Sequence, residues 1–136
     1  MGKKKVVLDT NILISALGWK GKPRLIFEKV LNGELELILS DKQLEEIINV
    51  LNYPKFNFND DQKSKFINIL LEVSTLIKLN KIVDIIKEDP DDNIILTSAI
   101  SGNADFIISG DEHLLNLKKF KNIKILSANN FISLNY

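Results

Sequence analysis

The chain of 136 residues contains no cysteine. That absence excludes a disulfide framework, thiolate catalysis and any metal site built on sulfur. Only one histidine is present, His113, so a centre of clustered imidazoles is excluded as well. No apolar run approaches the roughly 20 residues needed to span a bilayer. The N-terminal apolar stretch is broken by Asp9 and Asn11, unlike a secretory leader. The expected location is therefore cytoplasmic, with no membrane partner. Neither sign of charge dominates, because 18 basic residues face 18 acidic ones. There is thus no global electrostatic pull towards nucleic acid.

What is present is the composition of an ordinary globular protein, 45% hydrophobic and 26% charged. The length suits a single domain over 1–136 with one sizeable core. Charge does separate locally. Lysines gather at Lys3-Lys4-Lys5 and between Lys118 and Lys124, acids at Glu45-Glu46 and Glu88-Asp89-Pro90-Asp91-Asp92. The lysine clusters read first as solvated faces.

Short segments rich in Ile, Val and Leu alternate with helical patterns along the whole chain. The expected strands are Lys5–Asp9, Leu35–Leu39, Thr75–Leu79, Asp105–Ser109 and Lys124–Leu126. Pro23 suits a first helical turn and Gly33 a stop. Ser40-Asp41-Lys42-Gln43 and Asn59-Asp60-Asp61-Gln62 read as capping boxes, the first opening a helix to about Leu51 and the second one towards Val73. Asp89-Pro90-Asp91-Asp92 opens another helix, which Gly102 stops. Helical crossovers between short buried strands predict an α/β fold, an open parallel sheet with helices on both faces.

In such sheets ligands bind beyond the carboxyl ends of the strands, where strand order reverses. Asp9 ends the first expected strand, and Ser109-Gly110-Asp111 follows the fourth. If those strands are central neighbours, Asp9 and Asp111 converge. Asp92 shares a helical stripe with Ile95, Leu96 and Ala99, which directs a carboxylate into the buried face, whereas Asp91 is freer to meet solvent. Either Glu45 or Glu46 can join from the helix after Ser40, and periodicity does not choose between them. Each acid has a local explanation too: Asp9 and Asp111 as helix N-terminal acids, Asp92 as part of an N-terminal cap. Together they are harder to explain locally, because two carboxylates about 4 Å apart repel by roughly 4 kcal/mol at an effective dielectric near 20. Such a cluster calls for protons, basic partners or a divalent cation. Hard oxygen ligands favour Mg²⁺ or Mn²⁺, a chemistry suited to phosphodiester cleavage.

Four segments then carry a family resemblance: VVLDTNILISAL, LSDKQLEEIINVLNYPKF, DPDDNIILTSAI and ADFIISGDEHLL, with IKILSANNFISL closing. In this order and spacing they resemble the PIN domain, most closely the branch of toxins from toxin–antitoxin systems. The resemblance implies a three-layer α/β/α sandwich of about five strands in order 3-2-1-4-5. It also implies a ribonuclease dependent on one or two Mg²⁺ or Mn²⁺ ions, with acids at Asp9, Glu46, Asp92 and Asp111. Alignment through Ser40, Leu44 and Val50-Leu51 selects Glu46 over Glu45. Asn11 and Ser109 are expected to orient the carboxylates or the attacking water; Ser109 stands where relatives commonly have Thr. An RNA substrate and a cognate antitoxin are the implied partners, and homodimers are common in the family. An RNA-processing nuclease that is not a toxin, or a partner-binding subunit without catalysis, are the alternatives.

Three further features are read as structural before functional. His113 is expected to be a surface histidine at a helix start. Trp19, beside Lys20, Lys22 and Arg24, is open to base stacking, and at least as well suited to packing or a partner-protein contact. Phe56 and Phe58 are expected to pack in a core or an interface. A phosphoacceptor receiver domain is disfavoured, because Leu79-Asn80 and Ser127 stand where its third-strand Asp and final Lys belong.

Overall fold

Helices cover both faces of a six-stranded sheet in the computed structural model, which describes residues 2–135. The chain runs β1 (Lys4–Leu8), α1 (Thr10–Gly18), α2 (Lys22–Leu31), β2 (Leu35–Ser40) and α3 (Asp41–Leu51). A 3₁₀ turn at Pro54–Phe56 leads into α4 (Asp60–Val73), β3 (Ser74–Ile77), α5 (Pro90–Ser101) and β4 (Phe106–Ile108). The chain closes with α6 (Glu112–Leu117), β5 (Lys119–Phe120), β6 (Ile123–Leu126) and α7 (Ala128–Ser133).

The strand order is β3-β2-β1-β4-β6-β5, parallel throughout except for the β5/β6 pair. The expected order is met with one correction. The strand ending at Leu126 does lie beside β4, but it is the sixth, because a two-residue strand pairs antiparallel at the edge. Lys119-Phe120 is too short to show apolar alternation. It pairs because the turn after it places Lys121 at φ 53, the left-handed region that tight hairpins require.

Alternate strand residues feed two cores, as a period of two dictates. Val6, Leu8, Leu37 and Leu39 face Leu13, Ile26, Ile47, Leu70 and Phe131 from α1, α2, α3, α4 and α7. Val7, Ile38, Ile107 and Ile125 face Ile95, Leu96 and Ala99 of α5 and Leu114 of α6. Each fully buried aliphatic side chain contributes about 1.5–3 kcal/mol. The result is three layers with β1 and β4 at the centre.

The helix ends follow local chemistry. Asn59 and Gln62 form the full reciprocal box. Ser40 completes only half of its box: its hydroxyl accepts from the Gln43 amide at 3.1 Å, but the Gln43 side chain goes elsewhere. Buried Gln43 donates through Nε2 to the Leu8 carbonyl at 2.7 Å and so ties α3 to the end of β1. Gly33 follows α2 at φ +78, a conformation that disfavours any residue with a Cβ.

Candidate metal centre

The register Val6↔Phe106, Val7↔Ile107, Leu8↔Ile108 makes Asp9 and Ser109 the first residues beyond two adjacent central strands. The Asp9 amide continues the ladder by donating to the Ile108 carbonyl at 2.9 Å. Its side chain is 9% exposed and caps α1, with Oδ1 accepting from the Thr10 amide at 2.7 Å. Oδ2 accepts from the buried Ser109 hydroxyl at 2.6 Å, and the same Ser109 oxygen accepts from the Asp111 amide at 2.9 Å. Ser109 thus joins the two strand-end acids. Burial pushes the Asp9 carboxyl up, the bonds from Ser109 and Thr10 pull it down, and Asp111 and Asp89 raise it again.

Asp92 heads the stripe of Ile95, Leu96 and Ala99, all buried, and is itself 4% exposed; Asp91 next to it is exposed. Asp92 is not needed as a cap, because Asp89 accepts from the Asp91 amide at 3.1 Å. Its Oδ2 is buried with no hydrogen-bond partner among the described residues. Burial, reinforced first by Asp111, then by Asp89 and Asp9, pushes the Asp92 carboxyl up to about 8.

Glu46 is half-buried and accepts a hydrogen bond from the Thr10 hydroxyl; Glu45 is exposed. Burial pushes the Glu46 carboxyl up to about 7, against the lowering effect of Thr10 and with Asp91 and Asp9 adding repulsion. Asp111 also serves locally, capping α6 by accepting from the amides of His113 at 2.8 Å and Leu114 at 3.3 Å. The four acids line one cavity of about 210 Å³ together with Asp89 and Asp91.

Some residues are placed differently from expectation. His113 is exposed but not isolated: its Nδ1 lies 3.7 Å from Asp111 Oδ1 and 4.0 Å from Asp92 Oδ2. Atoms able to ligate a metal on Asp92, Asp111 and His113 all fall within 4.8 Å of one another. Asn11 lines the cavity, yet the hydroxyl that reaches Glu46 belongs to buried Thr10. Sequence reasoning missed Thr10, whose signal was a polar side chain on the buried side of a helix start. It also missed Tyr53 and Lys55, which border the same cavity. Arg24 is occupied elsewhere, donating to the Ala16 and Leu17 carbonyls at 3.0 and 3.2 Å.

This donor set fits a divalent cation. A buried carboxylate oxygen without a donor costs about 1–3 kcal/mol or more. Three carboxyls with raised affinity for protons are held against one another by rigid strand and helix ends. A hard cation among those oxygens would satisfy Asp92 Oδ2 and remove the repulsion, and the His113 imidazole beside Asp92 and Asp111 is compatible with Mn²⁺.

Known proteins bear on this geometry. A family model described as PIN domain matches residues 5–113. The uncharacterized protein MJ1680 of Methanocaldococcus jannaschii is 32% identical over 132 residues, covering 94% of this chain and 83% of that protein. Among solved structures, a chain from VapBC2 of Rickettsia felis, bound to a DNA fragment from their promoter, has a similar fold. Its TM-score is 0.62 at 16% identity, over 89% of this chain and 96% of that one.

Proposed function

Because the chain belongs to the PIN-domain family, we propose that it is a divalent-metal-dependent endoribonuclease acting on single-stranded RNA, and the toxin of a toxin–antitoxin pair. Asp9, Glu46, Asp92 and Asp111 would hold one or two Mg²⁺ or Mn²⁺ ions. A cation held there supplies an acidified water and neutralises charge on the phosphate. The chain's own residues prepare the cavity. Ser109 fixes the rotamer of Asp9 and the backbone of Asp111. Thr10 aims Glu46, and Gln43 anchors α3, which carries Glu46, to β1. Asn11 borders the cavity, where its amide can orient water or a carboxylate. The nucleophile would be water, since the sequence has no thiol and the described residues form no Ser–His pair at the site. His113, whose Nδ1 lies beside Asp111 and Asp92, would contact a phosphate oxygen of the substrate.

The observation that carries this reading is the buried, unpartnered Asp92 Oδ2 among acids that crowd one cavity. Most buried carboxylates with a purely structural role accept a hydrogen bond. For the partner, the likeness of fold to a chain of VapBC2, a complex bound to promoter DNA, supports a DNA-binding antitoxin.

The test is cleavage of a panel of tRNAs and rRNAs with Mn²⁺ and with EDTA, mapping the new ends. Cleavage should require the metal and vanish in Asp9→Asn/Asp92→Asn, while circular dichroism stays unchanged. Undiminished cleavage by that variant would sink the assignment. The toxin role predicts growth arrest on expression of the wild type and none with the double variant.

A further inference from the structure

One face of the acidic cavity is not acidic. Tyr53 and Lys55, from the 3₁₀ turn and the residue before it, border it beside Asp9, Glu46 and Asp92. Tyr53 is 49% exposed and begins a ladder of rings. It stacks on Phe56 at 6.5 Å with planes 5° apart, and Phe56 stacks on Phe58 at 5.7 Å and 15°. Trp19, 48% exposed, closes the far end at 6.0 Å from Phe56 and 5.7 Å from Phe58. The middle rings are half-buried and braced by Phe66, edge-on to Phe58 at 5.1 Å. Gly18 lets this cluster seat against α1, since a Cβ there would stand 3.0 Å from the Phe58 ring.

Core packing accounts for Phe56 and Phe58. It does not account for two half-exposed aromatics at the ends of the ladder, one of them on the rim of the acidic cavity. Lys55 has no ion-pair partner among the described residues; its Nζ lies 5.1 Å from the Phe56 ring centre. A cation and a flat ring beside a phosphate-cleaving cavity match the chemistry of an unpaired nucleotide, which brings one negative charge and one π-face.

We propose that Tyr53, Lys55 and Trp19 form a track that holds single-stranded RNA as it leaves the acidic cavity. Tyr53 stacks the base nearest the scissile phosphate, Lys55 contacts a backbone phosphate beside it, and Trp19 stacks a base further along. This rests on the nuclease reading above and deepens it: the track is where selectivity for unpaired RNA resides. A base held in a duplex cannot present its face to Tyr53, so paired RNA is excluded by geometry. The three side chains position substrate and take no part in hydrolysis.

Trp19 is the sole tryptophan, so its fluorescence reports on the track alone. The measurement uses Asp9→Asn/Asp92→Asn, which leaves RNA uncut, titrated with an unstructured oligoribonucleotide and with the same strand annealed to its complement. The single strand should quench Trp19 and bind about tenfold more tightly than the duplex. Adding Tyr53→Ala should weaken binding about tenfold, the effect of losing one base–aromatic stack, and Tyr53→Phe should restore it. Lys55→Met should reduce the salt dependence by about 0.7 in log–log slope, as for one phosphate contact on a single strand. Equal affinity for single strand and duplex, or no effect of Tyr53→Ala, would overturn the proposal. So would unchanged RNA affinity in Trp19→Ala combined with loss of a co-expressed antitoxin, which would assign these rings to a protein interface. Cleavage by the wild type is read separately. Cleavage without quenching refutes the track and leaves the nuclease; quenching without cleavage refutes the nuclease and leaves the track.

Discussion

Replacing Asp92 by Asn should make the metal-free protein more stable, and increasingly so as pH rises. Asp92 is buried, its Oδ2 has no donor, and Asp111 is the carboxylate that repels it most. Their ligating atoms lie within 4.8 Å, which at an effective dielectric near 20 corresponds to about 3 kcal/mol of repulsion when both are charged. Solvent reaches Asp111, so the expected gain is about 1–3 kcal/mol. The sign follows from linkage. The folded-state value of Asp92, about 8, lies above the unfolded one. The protonated carboxyl's contribution to stability is therefore complete below about pH 4 and lost as pH rises through about 8. Asn has the shape of the neutral acid, does not titrate, and can donate to Asp111. Urea unfolding in EDTA should give nearly equal stabilities at pH 4.5 and a clear advantage for Asp92→Asn at pH 8.5. Mn²⁺ should reverse the order at pH 8.5, since a ligand at a hundred times its Kd adds about 2.7 kcal/mol to the form that binds it. A variant less stable than wild type in EDTA at pH 8.5 would refute the reasoning, because Asp92 would then be satisfied in the native protein.

Other perturbations probe the supports of the site. Mn²⁺ affinity should rise on the order of several hundredfold from pH 6 to pH 8, because the Asp92 and Glu46 carboxyls, at about 8 and about 7, must lose protons to bind it; calorimetry in buffers of different ionisation enthalpy should show the protons released. Ser109→Ala leaves Asp9 Oδ2 without its donor and the Asp111 amide without its acceptor. It should cost about 1.5–3 kcal/mol in urea unfolding where Asp9 is ionised and weaken Mn²⁺ binding. Gln43→Leu removes the donor to the buried Leu8 carbonyl and should cost about 1–3 kcal/mol in the same assay. Its effect on cleavage should exceed its effect on stability, since α3 carries Glu46.

Legibility in the sequence followed the length scale of each signal. The Asp92 stripe could be read because helical periodicity over Ile95, Leu96 and Ala99 is a local property. The convergence of Asp9 with Asp111 needed one nonlocal fact, the β1–β4 adjacency, which the topology of parallel sheets made natural. Glu45 and Glu46 could not be separated by period, since both lie off the apolar centre of α3; the choice depends on burial and on Thr10, brought in from α1. Local and functional explanations of Asp9 and Asp111 proved compatible. Each caps a helix with one oxygen, Oδ1 in both cases, and borders the cavity. His113 lies on the surface at a helix start as expected, but its nearness to Asp92 depends on how α6 packs beside α5, which spacing along the chain does not encode. Strand β5 escaped because two residues show no period at all.

The central claim is that Asp9, Glu46, Asp92 and Asp111 form a divalent-cation site. The most direct measurement is isothermal titration of Mn²⁺ into the metal-free protein at pH 8, with Asp9→Asn/Asp92→Asn as the comparison. The wild type should bind one or two ions and release protons, and the double variant should show only heats of dilution. Equal binding by both proteins, or none by the wild type, would contradict the claim.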